Sequence, residues 1–194
     1  MLSFSSRLCA RQRVSKPPVF PFPEQARTAT LHICFPLFVA VLHVLYSTST
    51  GSTEYVVDTL IAAFRATAPK LTIEKQRAEA AQAADLLRGD LLLLASGTWN
   101  TGGTEGQLHP RMYAFLNDRA KECDLQKKPC AVIALGDERY YYTARAMEHL
   151  MQFVTQHNGQ VAESLVIVNE PYGQEEKVNK WAAKLLAKVP VLAS

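Results

Sequence analysis

Cysteine is scarce in this chain of 194 residues, and the four present (Cys9, Cys34, Cys123 and Cys130) include no pair at C-x-x-C spacing. That argues against a cysteine metal site or a dithiol redox centre, and it fits reduced thiols in a cytoplasmic setting. Glycine-rich nucleotide signatures are missing too. No G-x-G-x-x-G occurs, and no lysine follows the glycine of the hydroxyl-rich stretch Thr48–Thr53, so neither a dinucleotide fingerprint nor a Walker loop is present. There is no basic stripe with interleaved aromatics, so nucleic acid is not an expected partner. The five histidines (His32, His43, His109, His149 and His157) have no acids paired with them in any obvious spacing and read as structural. A long uninterrupted apolar run is also lacking. Leu31 to Tyr46 is broken by His32, Pro36 and His43 and is short for a membrane span, so stable membrane insertion is not expected.

A single-signed charge is absent from most of the chain. The formal charge of +3 comes from 21 basic and 18 acidic residues. Residues 1–38 hold five of the basic ones (Arg7, Arg11, Arg13, Lys16, Arg27) and one acid, Glu24, which leaves 16 basic and 17 acidic residues in 39–194. The body is therefore nearly neutral. The first 30 residues are rich in Ser, Arg and Pro, and Pro17, Pro18, Pro21 and Pro23 forbid continuous helix or strand, so disorder is expected there. Three readings of this segment are open: a secretory signal, which would remove part of the first strand; an organellar transit peptide; and a misassigned start, with the true start near Val39 or Val41. The third is preferred, because no Met lies between Met1 and Met112.

What is there is an alternation of strand and helix signals, the pattern of a parallel α/β sheet. Strands are expected at Val39–Tyr46, Leu71–Lys75, Asp90–Ala95, Cys130–Leu135 and Ser164–Val168. Helices are expected at Thr53–Ala66, Ala80–Arg88, Leu108–Cys123, Tyr142–His157 and Glu175–Ala187, the last with a core face of Trp181, Leu185 and Leu186. Ligands of such sheets sit beyond the carboxyl ends of the strands, at the topological switch.

Three segments follow those ends. Thr48-Ser49-Thr50-Gly51-Ser52-Thr53 joins the first strand to the first helix. It has two readings: an anion site of helix N–H groups and hydroxyls, or a Ser/Thr-capped helix start. Read as an anion site, it offers a phosphate neutral donors only. Ser96 to Gly103 reads as a glycine-rich loop centred on Trp99, and Gly136 to Tyr140 as a second loop carrying an aromatic. Trp99 is expected at the surface rather than in the core. In the run Tyr140-Tyr141-Tyr142, any of the three could instead lie on a buried helix face. A phosphate site below two aromatic faces describes flavin mononucleotide (FMN).

Together these segments resemble the flavodoxin family, over residues 39–190. Thr48 to Thr53 is similar to its T/S-x-T-G-x-T phosphate motif, Thr98-Trp99-Asn100 to the loop whose Trp covers the inner flavin face, and Gly136-Asp137-x-x-Tyr140 to the loop whose Tyr stacks on the outer face. The resemblance implies a three-layer α/β sandwich with a five-stranded parallel sheet of order 2-1-3-4-5, formed by residues 39–194. It implies phosphate binding by Thr48, Ser49, Thr50, Ser52 and Thr53 around Gly51, and a flavin ring edge against the backbone of Gly136 and Asp137. It also implies that the peptide Asn100–Thr101 turns over on reduction, where asparagine replaces the glycine of many relatives. The missing insertion in the fifth strand is similar to short-chain members. The implied function is low-potential electron transfer by a monomer, with a flavodoxin or ferredoxin reductase as partner. In this reading Asp137, Glu138 and Glu105 disfavour negative charge on the ring and Arg139 opposes them. The near-neutral body, and a segment Thr101–His109 with Glu105 as its one acid, depart from the family's acidic character. The rival readings are an NAD(P)H-dependent quinone or flavin reductase on the same fold, and an interaction module without flavin.

Overall fold

The fold is that of a computed structural model, which describes residues 39–193. The expectations for residues 1–38 lie outside the described residues. Strand β1 (Val41–Tyr46) leads to α1 (Ser52–Thr67), β2 (Thr72–Arg77), β3 (Leu91–Thr101), β4 (Thr104–Leu108), α2 (Pro110–Ala114), β5 (Pro129–Gly136), α3 (Ala146–Gln156), β6 (Gln160–Val168) and α4 (Glu175–Lys188). Five strands form a parallel sheet of order β2-β1-β3-β5-β6, and β4 pairs antiparallel with the outer part of β3.

The period-2 alternation of the strands sorts the core into two layers. On β3, Leu91, Leu93 and Ala95 pack with α1 residues Val56, Leu60 and Phe64 and with α4 residues Val178, Trp181 and Leu185. Leu92 and Leu94 point to the opposite side, against Met112, Phe115, Leu150 and Val154. Leu91, Leu92, Leu93 and Leu94 are all fully buried. Truncating any one to alanine is expected to cost ~2–5 kcal/mol, because strands on both sides prevent the space from closing.

The structure corrects the expected elements in four places. The supposed loop Ser96–Gly103 is mostly strand: β3 continues through Thr98, Trp99, Asn100 and Thr101, and the sheet has six strands, not five. Gly102 and Gly103, at φ 65° and 77°, form the two-residue turn of a hairpin whose ends pair Thr101 with Thr104. Both central residues at positive φ make the turn that matches strand twist. Leu108 then belongs to β4, so the next helix starts at Pro110, and a wider π-type turn, Phe115–Arg119, extends it. The expected helix Ala80–Arg88 is two 3₁₀ turns, Ala78–Ala80 and Ala83–Leu87. They are separated by extended Ala81, and the second is fixed by the Asp85 carboxylate accepting from Gln82 N–H at 2.8 Å. Finally, α3 begins at Ala146, so the three tyrosines precede it in turns.

Candidate functional site

At the carboxyl edge of the sheet, beside β1, β3 and β5, lies a cavity of about 670 Å³. One end is the loop between β1 and α1. Gly51 sits at φ 92°, where a Cβ would be strained, and its N–H donates to Thr48 Oγ1 at 2.9 Å. Thr50 Oγ1 and Ser52 Oγ lie 3.2 Å apart. No side chain caps α1. Its first-turn N–H groups and dipole therefore face an end of the cavity lined by Thr48, Ser49, Thr50, Ser52 and Thr53. Glu54, in that first turn, would repel an anion. Its carboxylate is turned away, accepting from Tyr46 Oη at 2.7 Å, Arg77 Nη2 at 2.9 Å and Lys75 Nζ at 3.1 Å. The Tyr46 bond, then Lys75, hold it below the usual carboxylate range.

Aromatic side chains form the other end. Trp99, 37 % exposed, folds back over Gly97, where an added Cβ would meet its Nε1 at 3.0 Å. The edge of His109 supports the indole, with ring centroids 4.9 Å apart at 76°. Tyr140 and Tyr142 also line the cavity, while Tyr141 is 86 % exposed and not among its lining residues. Tyr142 packs on the hairpin at Gly106, at φ 82°, where a Cβ would lie 2.7 Å from that of the tyrosine. Thr98 Oγ1 accepts from Ala146 N–H at 3.2 Å and ties β3 to the start of α3.

Of the thirteen expected residues, Thr48, Ser49, Thr50, Ser52, Thr53, Thr98, Trp99, Asn100, Gly136, Asp137 and Tyr140 line this one cavity. Gly51 shapes the loop from behind, and Thr101 closes the hairpin by donating to the Leu108 carbonyl at 2.7 Å. Sequence reasoning missed Gly97, Gly106, Leu135, Thr143, Asn169 and Glu170 as lining residues, and of the tyrosine run it left open, Tyr140 and Tyr142 line the cavity. Asn169, at φ 66°, carries no local sign of its role: its Oδ1 accepts from Glu138 N–H at 3.1 Å across 31 residues of chain.

The charge pattern departs from the sequence reading: Glu138 does not line the cavity, Glu170 does, and Asp137 is paired with Arg139. Arg139 is the one cationic side chain among the described lining residues. Its Nε donates to both Asp137 oxygens at 2.9 Å, and Asp137 Oδ1 also accepts Arg139 N–H. The Arg139 bonds pull the Asp137 carboxyl down to about 2. The two charges therefore largely cancel. Glu105 and Glu170 remain as the lining acids without an ion pair among the described residues.

A family model described as Flavodoxin matches residues 44–181. This chain belongs to the flavodoxin family. Solved relatives are similar over nearly their whole length. Flavodoxin 2 from Bacillus cereus is 26 % identical, with 77 % of this chain and 99 % of that one covered at a TM-score of 0.68. Flavodoxin 1 from the same organism is 23 % identical, with 76 % and 98 % covered at 0.67. The Streptococcus pneumoniae TIGR4 flavodoxin is also 23 % identical, with 77 % and 100 % covered at 0.66. No curated protein sequence matches. Family membership implies a flavin cofactor. Among the described residues no helix is long and apolar enough to cross a membrane, and no group of His, Cys, Asp and Glu is placed to hold a metal ion.

Proposed function

We propose that this flavodoxin-family chain binds FMN in the cavity beside β1, β3 and β5 and passes single electrons between redox proteins. The observation that carries this reading is the division of one cavity into an uncapped helix start ringed by hydroxyls and, opposite it, walls of Trp99, Tyr140 and Tyr142. Its volume suits a ligand of this size.

Thr50, Ser52 and Thr53 hold the phosphate with neutral donors and the first N–H groups of α1. Thr48 holds the loop in shape through Gly51. Trp99 and Tyr140 face the two sides of the ring and shield it from water. Gly136 and Asp137 present backbone to its edge. The bound flavin supplies the redox chemistry. Glu105 and Glu170 disfavour added negative charge there, which lowers the potential at which the last electron is held, since the Asp137–Arg139 pair contributes little net field. The exposed rim of Trp99, Tyr140 and Tyr141 is where a partner protein approaches.

Reconstitution of the purified chain with FMN, followed by its visible spectrum and by riboflavin as control, tests this. Tight uptake of FMN with weaker uptake of riboflavin is expected. A colourless protein that takes up neither would overturn the proposal. Sustained NADPH oxidation without a separate reductase would replace the carrier by a reductase.

A further inference from the structure

Among the described residues, His109 is the one histidine that touches both the hydroxyl loop, at Ser49, and the aromatic Trp99. It is 2 % exposed and sits between β4 and α2. Its main-chain N–H is shared between Ser96 Oγ and the Gly97 carbonyl, both at 3.1 Å, and Pro110 follows it at the start of the helix. Its two ring nitrogens have different neighbours. Nδ1 lies 3.3 Å from Arg111 N, a backbone N–H that can only donate. Nε2 lies 2.8 Å from Ser49 Oγ, in the hydroxyl loop 60 residues earlier.

These contacts select one tautomer. Nδ1 must be bare to accept Arg111 N–H, so in the neutral ring the proton sits on Nε2 and is donated to Ser49 Oγ. Burial, then the Arg111 guanidinium, push the ring below the ordinary imidazole range, against a smaller pull from Glu79; these are the charged groups that act on it. A serine oxygen that accepts from Nε2 keeps its own hydrogen for another acceptor. The opposite tautomer would take that hydrogen and leave only lone pairs toward an anion. We propose that His109 is a positioning residue that turns the Ser49 hydroxyl into a donor for the phosphate of a bound flavin. The inference rests on the FMN reading above. The ring also braces Trp99, so one buried side chain touches both the phosphate loop and the aromatic wall.

Two conservative variants separate this role from mere capping of α2. His109→Asn keeps an acceptor near the Nδ1 position but has no donor reaching Ser49. His109→Gln returns an N–H near the Nε2 position. FMN and riboflavin are titrated into the apoprotein by flavin fluorescence, and the ratio of their dissociation constants is followed. Any loosening of Trp99 acts on both ligands and leaves the ratio alone. His109→Asn should weaken FMN roughly three- to tenfold relative to riboflavin, the weight of one neutral hydrogen bond, and His109→Gln should restore most of it. In a Ser49→Ala background His109→Asn should change the ratio no further. An unchanged ratio in His109→Asn, or the same loss without Ser49, would overturn the inference and leave the FMN reading standing. A wild-type protein that binds neither flavin, or both equally, removes the FMN reading and this inference together. Imidazole ¹⁵N shifts of the wild-type protein give a check that needs no variant: the Nε2–H tautomer is expected, and the Nδ1–H tautomer would overturn the role.

Discussion

The two ends of the cavity are built in opposite ways. The hydroxyl end is six consecutive residues, Thr48 to Thr53, whose backbone is shaped by local bonds, Gly51 to Thr48 and Thr50 to Ser52, while the Ser49 side chain reaches across 60 residues to His109. The aromatic end is assembled from three distant segments. Trp99 comes from β3, Tyr140 and Tyr142 from the turns after β5, and Asn169 from the loop after β6. Its bonds run from Ala146 to Thr98 and from Glu138 to Asn169, across 48 and 31 residues. A locally held loop keeps its shape when remote packing changes. An end assembled from distant pieces fails as a unit.

The sharpest way to break this contrast is to add one methyl group at each end. At Gly136 a Cβ would lie 1.5 Å from the Thr143 carbonyl oxygen, so the whole turn 137–143 must move. Gly136→Ala should cost ~3 kcal/mol or more and free Trp99 as well as the tyrosines. At Gly51 nothing lies within 4 Å of an added Cβ, so Gly51→Ala should cost only the left-handed strain of about 1–2 kcal/mol. Urea midpoints would compare them, and equal losses would erase the distinction.

On the FMN reading Thr50→Val removes one donor to the phosphate and should weaken FMN by ~1.5–3 kcal/mol, roughly ten- to a hundredfold, while leaving riboflavin nearly unchanged. Parallel titrations check this; equal weakening would mean that the loop does not read the phosphate. Asn100→Gly, at the hairpin, should raise the potential of the first electron by an equivalent of about 0.5–1 kcal/mol, the conformational advantage of glycine if the peptide after Trp99 turns over. A redox titration that leaves that potential unchanged would show that this peptide stays as it is.

The smallest expected effect belongs to Asp137. Its folded carboxyl is depressed from an ordinary 3.8 to about 2 by Arg139. Its contribution is therefore complete above pH ~4 and is lost as pH falls toward 2. Asp137→Asn should lose that contribution at pH 4 and 7 and approach the wild type toward pH 2, and the loss should be small because the pair is exposed and screened. Chemical denaturation at pH 2.5, 4 and 7 reads the difference.

The same division explains what could be read from residues alone. The parallel core was legible because Leu91 to Leu94 and Cys130 to Leu135 are unbroken apolar runs, and the hydroxyl loop because it is contiguous. The hairpin was not, because Thr98, Asn100, Thr101 and Thr104 are polar and β4 has no apolar alternation beyond Leu108. The Gly102-Gly103 pair between threonines was the available signal. Asn169 and Thr143 were out of reach, since only the tertiary fold brings them to the cavity. The pairing of Asp137 with Arg139 was open to a closer reading, because two opposite charges two residues apart on a turn can meet. His109 read as structural; only its two ring contacts reveal which way each nitrogen works.

Strand β3 has a consequence of another kind. From Leu92 to Ala95 it is paired on both sides, with β1 and β5, whereas from Thr98 outward only β4 accompanies it. In native-state hydrogen exchange one strand should thus divide in two near Gly97. The inner amides should report global unfolding, and the outer ones opening of the hairpin alone.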